Sequence, residues 1–293
     1  MKKKVYALGF FDGVHLGHQA LLSACVDMAA QLDAVPCALT FDTHPKSLVN
    51  GCEPGLINSP ADRLGLLKQF QIEQVATLHF DSNTMSMPWQ DFFAYLIREL
   101  GAVGLVCGDD FRFGYKGEGN AQRLEEACAR TDVFCRVVTE QTVDGIRVSS
   151  THIRRLMAEG EMETANRFLG HPHVLSGAVV CGRKLGRTIG VPTANLLIPE
   201  GVIPPKFGVY ACLVSVDGEK FPAVANVGTR PTVGGHRVTV EPWILDFDRD
   251  IYGKTITLEF HRFLRPEEKF SSLEALQAQI QADAEQTKKY FQL

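Results

Sequence analysis

Gly9-Phe10-Phe11-Asp12-Gly13-Val14-His15-Leu16-Gly17-His18 is the stretch from which the fold reads outward. Before it, the apolar run 5–8 has the length of a short buried strand. After it, Leu21, Leu22, Cys25, Met28, Ala29 and Leu32 recur near helical spacing. The decapeptide is therefore a strand-to-helix turn, and its three glycines let the backbone approach a ligand closely. His15 and His18 stand three residues apart where the helix begins. A helix N-terminus offers free N–H groups and the positive end of a dipole, which favour phosphate. Imidazoles placed there add donors toward charge that develops on a phosphoryl oxygen. The pattern predicts a nucleotide-phosphate site that lacks the Lys of a P-loop. Two plainer readings stand beside it. A His pair at this spacing suits a metal, although no Glu lies between the two and no third ligand is obvious nearby. A glycine-rich turn can also be only a turn.

The same alternation runs on to about residue 135. Strands are expected at 5–8, 35–41, 75–80, 104–107 and 133–138, and helices at 18–32, 60–70, 89–100 and 122–129. Ser59-Pro60 is a helix start, a cap followed by Pro at the first helical position. The repetition predicts an α/β domain of Rossmann-like type, a parallel sheet covered by helices with ligands at the carboxyl ends of the strands. Further motifs fall at those ends. Phe41-Asp42-Thr43-His44-Pro45 follows the second strand, and alone it reads as a loop. Gly108-Asp109-Asp110-Phe111-Arg112-Phe113-Gly114 follows the fourth, and alone it reads as a charged turn with two buried aromatics. Ser149-Ser150-Thr151-His152-Ile153-Arg154-Arg155 opens a helix. Its hydroxyls are good caps, and with the free N–H groups and Arg154 they also make a second anion site.

A helical pattern at 163–169 ends at Gly170, and His171-Pro172 breaks the chain, so the expected domains are 1–170 and 171–293. Beyond the break, strands are expected at 178–181, 208–216, 221–227, 237–247 and 255–263, with Asp217-Gly218 as a hairpin turn. Closely spaced strands with short turns predict a small antiparallel β-barrel. One helix closes the chain, with Ser271 and Glu274 as a capping box and Leu273, Leu276 and Ile280 on one packing face. The densest motif here is Gly182-Arg183-Lys184-Leu185-Gly186-Arg187-Thr188-Ile189-Gly190-Val191-Pro192-Thr193-Ala194-Asn195. Its glycines suit a loop wrapped on a phosphate chain, and Arg183, Lys184 and Arg187 supply positive charge. A basic exposed loop alone does not account for Pro192-Thr193-Ala194-Asn195. Further on, the strand Val238-Thr239-Val240-Glu241 presents a carboxylate, which the pattern alone leaves open as an outward polar residue or a functional one.

The decapeptide resembles the nucleotidyltransferase signature of the prokaryotic bifunctional riboflavin kinase/FAD synthetase (FMN adenylyltransferase) family. The stretches after the second and fourth strands and the 149–155 motif are similar to that family's as well, and Pro192-Thr193-Ala194-Asn195 resembles its riboflavin kinase signature. So do Asn226-Val227-Gly228-Thr229-Arg230-Pro231-Thr232, Asp246-Phe247, Tyr252-Gly253-Lys254 and Phe263-Leu264-Arg265-Pro266-Glu267. The chain departs at Phe10, where the family usually has Asn or Ser, and at Pro242-Trp243, which replaces a polar pair. The resemblance implies two activities, ATP-dependent phosphorylation of riboflavin to FMN and adenylylation of FMN to FAD. For the second it implies His15, His18 and Arg154 as catalytic, and Gly9, Phe11, Asp12, Gly17, Asp110, Ser150 and Thr151 as nucleotide-binding. For the first it implies Glu241 as the base that takes the ribityl hydroxyl proton. Gly182, Lys184, Gly186, Arg187, Pro192, Thr193 and Asn195 would bind the nucleotide, with Thr193 and Asn195 holding Mg²⁺ with ATP. A chain that keeps only one activity, or a flavin-binding regulator on the same fold, is the alternative.

Composition is that of an ordinary soluble globular protein. The 293 residues are 45% hydrophobic and 22% charged. A net charge of −4 gives no nucleic-acid footprint. Eight scattered cysteines without a C-x-x-C pair fit a reduced, cytoplasmic setting. The basic start Met1-Lys2-Lys3-Lys4 is followed too soon by Gly and Asp for a signal peptide, and no run has the length of a membrane span. The expected partners are riboflavin, FMN and ATP, without nucleic acid or membrane; the sequence does not reveal an oligomeric state.

Overall fold

The computed structural model describes residues 2–44, 54–180, 190–232 and 235–293. The chain divides into two compact units, one of residues 1–55 and 63–150, the other of 56–62 and 151–293.

In the first unit the strands are β1 (Lys4–Leu8), β2 (Val35–Phe41), β3 (Gln74–Leu78), β4 (Ala102–Gly108) and β5 (Phe134–Val138). They form one sheet in the order β3-β2-β1-β4-β5, and every pairing is parallel. Between them in the chain run α1 (Leu16–Gln31), α2 (Pro60–Gln69), α3 (Trp89–Arg98) and α4 (Ala121–Cys128). Ser59 caps α2 as expected: its hydroxyl accepts from Asp62 N–H (3.0 Å) and donates to the Asp62 carboxylate (2.7 Å). Val5, Tyr6, Ala7 and Leu8 are all buried, as the central strand of a two-faced sheet requires. Gly104 on β4 lets α1 sit close: a Cβ there would stand 2.6 Å from Met28 Sδ. From β1 the chain steps outward to β2 and β3, then returns to β4 on the other side of β1. Ligands of such sheets bind in the crevice at the carboxyl ends where the order reverses. Here that is the end of β1 and β4, where the decapeptide and Gly108-Asp109-Asp110 begin.

The second unit carries α5 (Ser150–Glu159, from Thr151 onward), α6 (Met162–Leu169), β6 (His173–Ala178), β7 (Leu196–Leu197), β8 (Gly208–Val216), β9 (Glu219–Thr232), β10 (Gly235–Ile244), β11 (Thr255–Arg265) and α7 (Leu273–Phe291). The antiparallel order is β6-β11-β8-β9-β10-β7. The ends of this ladder return to each other: Val180 N–H donates to Asn195 O (2.9 Å), and Gly177 faces Leu196, 3.2 Å from where its Cβ would be. The result is the small, nearly closed barrel that the strand spacing predicted, with a closing helix. Tyr210, Phe260, Leu258 and Val214 fill its interior.

Two local expectations are corrected. The strand placed at 178–181 ends at Ala178 and starts at His173, directly after Pro172. Polar His173 and Ser176 hide its alternation, yet His173 is 1% exposed and lies against Phe260. The α7 cap is Ser272, not Ser271; its hydroxyl accepts from Ala275 N–H at 3.2 Å.

Candidate functional site

At the end of β1, Gly9 N–H donates to Leu39 O (3.1 Å) and the backbone then turns through left-handed positions. Phe11 has φ 59°, Gly13 83° and Val14 40°. That region is strained for Phe and more so for β-branched Val, and such strain persists only where surroundings enforce it. The enforcement is visible. Val14 N–H bonds Phe11 O (3.1 Å), and the Gln19 amide donates to Val14 O (2.9 Å). Phe11 is wholly buried with its ring against Gly9, where a Cβ would stand 3.2 Å away.

α1 begins with His15 as its N-cap, Nδ1 accepting His18 N–H at 3.3 Å, which leaves the ring proton on Nε2. The His15 and His18 rings stack with centroids 3.6 Å apart and 11° between planes. Burial first, then His15 and Arg63, hold His18 well below the ordinary imidazole range, so it is neutral at pH 7. Its Nδ1 is buried and has no hydrogen-bond partner among the described residues. The Ser150 hydroxyl donates to Asp12 O (3.0 Å), so two motifs distant in sequence meet at this turn. Thr151 and Arg154 follow on α5, among the residues of the second unit. Asp110 is exposed and paired with Arg147 (2.5 Å), whose Nε also reaches Glu140 (3.0 Å). Phe113 is 7% exposed and packs with Trp89 and Phe92 in the core, so of the aromatic pair only Phe111 keeps a partly open ring.

Arg63 was not among the expected residues. Its guanidinium is buried at the same strand ends, donating to Phe10 O (3.0 Å) and Phe41 O (3.3 Å). It also lies 4.4 Å over the Phe10 ring, and His44 packs 4.5 Å from that ring. Phe10 thus replaces a polar side chain with a stacking surface. A lone Arg in the first turn of an amphipathic helix carries no signal in sequence; only the fold brings it here.

In the second unit, β10 and β9 set Glu241 opposite Asn226. Period two puts Glu241, Trp243, Val224, Asn226 and Val209 on the face away from the barrel interior. They line a cavity of about 370 Å³ whose other wall includes Leu276, Ile280 and Asp283 of α7. The closing helix therefore does more than pack. Arg265 bridges wall to helix, with three bonds of 2.8–3.1 Å to the Asp283 carboxylate. Thr239 Oγ1 donates to Glu241 (3.3 Å), and Asn226 donates to Glu267 (3.1 Å), whose carboxylate occupies the space that a Cβ on Gly228 would need. A second cavity of about 350 Å³ is lined by Pro192, Thr193, Phe247, Arg249 and Tyr252 among others. Thr193 lines both cavities. Asn195 is 5% exposed, and its amide oxygen has no partner among the described residues. The departure Pro242-Trp243 is accommodated at this seam: Pro242 O accepts Ala194 N–H (2.9 Å), and Trp243 bridges Thr193. Gly182, Lys184, Gly186 and Arg187, with Arg183, lie outside the described residues.

Fold and sites together belong to a phosphate-transferring enzyme built in two modules. The sequence matches the FAD synthetase family model over residues 1–152 and the riboflavin kinase model over 169–291. The chain belongs to the bifunctional riboflavin kinase/FMN adenylyltransferase family, joining the two steps of flavin cofactor synthesis in one polypeptide. A bifunctional riboflavin kinase/FMN adenylyltransferase of Listeria monocytogenes is 37% identical over 98% of this chain and 92% of its own length. That of Escherichia coli K12 is 36% identical over 99% and 93%. A crystal structure of a Streptococcus pneumoniae protein described as a macrolide-efflux protein superposes with a TM-score of 0.87 at 34% identity, covering 98% of this chain and 94% of that one. Among the described residues no helix is long and apolar enough to cross a membrane.

Proposed function

We propose that each half-reaction is carried by the residues brought together above, with residues 1–170 serving adenylyl transfer and 171–293 the kinase. The observation that carries the kinase reading is Thr193 on the wall of both cavities, with Glu241 on one side and the aromatic pair Phe247 and Tyr252 on the other. Riboflavin occupies the Glu241 cavity and ATP the other, so the γ-phosphoryl group reaches the seam between them. Glu241 accepts the proton of the ribityl hydroxyl as its oxygen bonds to the γ-phosphorus and ADP leaves. Catalysis is then positioning and charge stabilisation.

The donors at the seam fit Mg²⁺, a cation that prefers oxygen ligands and keeps waters and phosphates in its shell. The Thr193 hydroxyl and the buried Asn195 amide oxygen, which has no partner among the described residues, would hold it. Bound with ATP, the ion would neutralise charge on the phosphates.

For adenylyl transfer, a phosphate oxygen of FMN attacks the α-phosphorus of ATP and pyrophosphate leaves. His15 and neutral His18 donate to the phosphates. Ser150, Thr151 and Arg154 add the hydroxyls and the guanidinium that the family resemblance assigns to this step, while Gly9, Phe11, Asp12, Gly17 and Asp110 shape the nucleotide site. The setting is cytoplasmic, where ATP is available.

The test is purified protein with riboflavin, ATP and Mg²⁺, its products separated by chromatography. FMN followed by FAD is expected. FMN alone would leave a kinase, and bound but unchanged riboflavin would leave a flavin-binding regulator.

A further inference from the structure

Arg63 is 5% exposed, and a guanidinium stays charged at any working pH, so its burial calls for a reason. A structural cap for two carbonyls does not need a charge. The place of this one is informative. The guanidinium and the Thr40 hydroxyl both donate to the Phe10 carbonyl, each at 3.0 Å, and the guanidinium also holds Phe41 O. The turn after β1 is thereby tied to the last residues of β2. Because a peptide is planar and trans, fixing the Phe10 C=O fixes the Phe11 N–H in the opposite direction. Phe11 is the first left-handed residue of the turn. A clamp here sets the conformation of everything up to His15. The aromatic stack adds to it: the Phe10 ring lies against Arg63 and His44, so its side chain cannot swing the peptide back. Asp12, buried in the same turn, is the carboxylate near enough to favour the guanidinium charge.

We infer that Arg63 is a positioning residue for FMN adenylylation: it clamps the Phe10–Phe11 peptide in the orientation that lets the turn and its histidine pair receive the phosphate chain of ATP. The inference rests on the reading of this turn as the adenylyl-transfer site. Arg63 does not touch substrate; it acts through the backbone.

The full-length protein is compared with Arg63→Gln, Arg63→Lys and Thr40→Val. Initial rates of FAD formation from FMN give kcat and KM, riboflavin phosphorylation serves as internal control, and a melting curve checks folding. For Arg63→Gln, kcat of FAD formation is expected to fall roughly 10- to 100-fold, as misplacing a catalytic frame does. KM for FMN and the kinase rate should stay near those of the parent. Arg63→Lys, which keeps the charge and one donor direction, should recover part of kcat. Should Arg63→Gln not fold, Arg63→Lys and Thr40→Val each weaken the hold on one carbonyl, and each should lower kcat for FAD alone. A folded Arg63→Gln protein with unchanged kcat for FAD formation overturns the clamp, as does equal loss of both activities. His18→Ala separates the two levels of the argument. If it makes FAD normally, the underlying site reading is wrong; if it is inactive while Arg63→Gln is active, only the clamp is wrong.

Discussion

Residues 9–18 supply the turn after β1 from one contiguous stretch, whereas the cavity beside Glu241 draws on residues from Val191 to Asp283 across four strands and α7. The turn gets most of its geometry from local strain, left-handed Phe11 and Val14 held by short-range bonds, and Arg63 and Thr40 add a hold on Phe10 O from outside it. The cavity gets its geometry from register, since Glu241 faces Asn226 only if β9 and β10 pair as they do. One site is written mostly into chain connectivity and the other into long-range pairing. They should fail differently, and that difference can be tested.

The largest effect is expected at Glu241. Glu241→Gln keeps size and hydrogen bonding but cannot take a proton at neutral pH. General-base contributions are typically about 100- to 10,000-fold, so FMN formation should fall within that range. Riboflavin, followed by flavin fluorescence, should still bind, and FAD formation from supplied FMN should be close to unchanged. If kinase turnover survives within a few-fold, Glu241 is only an outward strand residue. Glu267, bonded to Asn226 in the same cavity, would then be the base to test, ahead of exposed Asp246, which pairs with Lys288.

Asp283→Ala tests dependence on distant sequence. Asp283 is 1% exposed and Arg265 only 15%, so removing the carboxylate strands a buried guanidinium. Breaking such a pair typically costs about 3–5 kcal/mol. Urea unfolding followed through Trp243, in a Trp89→Phe background, should lose stability of that order. FAD formation from FMN should persist where the kinase is lost. A barrel that unfolds as before would show that α7 is dispensable to the cavity.

The same contrast explains what was legible in sequence. The decapeptide, the 192–195 tetrad and the β-α alternation that makes the first sheet parallel are local patterns with a fixed period or fixed spacing. Arg63 and Asp283 were not legible as site residues, because nothing within a turn of either marks it; the fold alone makes them neighbours of a site. His173 was hidden for another reason. A polar residue at a strand start reads as linker, and only burial against Phe260 shows it to be core. The basic loop at 182–187 was legible as a motif, and the described residues leave its contacts open.

At the turn, His18→Ala removes one donor from a phosphate site and the stacking partner of His15. FAD formation should fall by roughly two orders of magnitude or more, in line with loss of one transition-state donor. Riboflavin phosphorylation should persist, as assays of the two half-reactions on one folded preparation will show. Loss of both activities would refute the assignment of separate sites.

The smallest effect compares two imidazoles. His18 has a proposed task for its neutral ring; His173 has none beyond packing, and burial first, then His171, push it down to about 3. An unfolded histidine titrates near 6.5. Between those values the unfolded chain holds a proton that the folded chain does not, so lowering the pH through 6.5 drives unfolding, and stability keeps falling until the folded ring itself titrates. At pH 5 this amounts to about 2 kcal/mol. Carboxylates also titrate over this range, but they do so equally in a variant without the ring. His173→Leu keeps the backbone N–H that donates to the Asn166 side chain at 2.8 Å and removes the titrating group. Urea midpoints of both proteins at pH 7 and pH 5, read through Trp243, isolate the term. The variant should be less stable at pH 7, where a packed ring is lost, and should lose about 2 kcal/mol less than the parent on going to pH 5. If both proteins lose stability equally between the two pH values, His173 is able to accept a proton inside the barrel. Its Nδ1, without a partner among the described residues, would then have to find one on protonation, and the contrast between a working and a merely packed histidine would no longer hold.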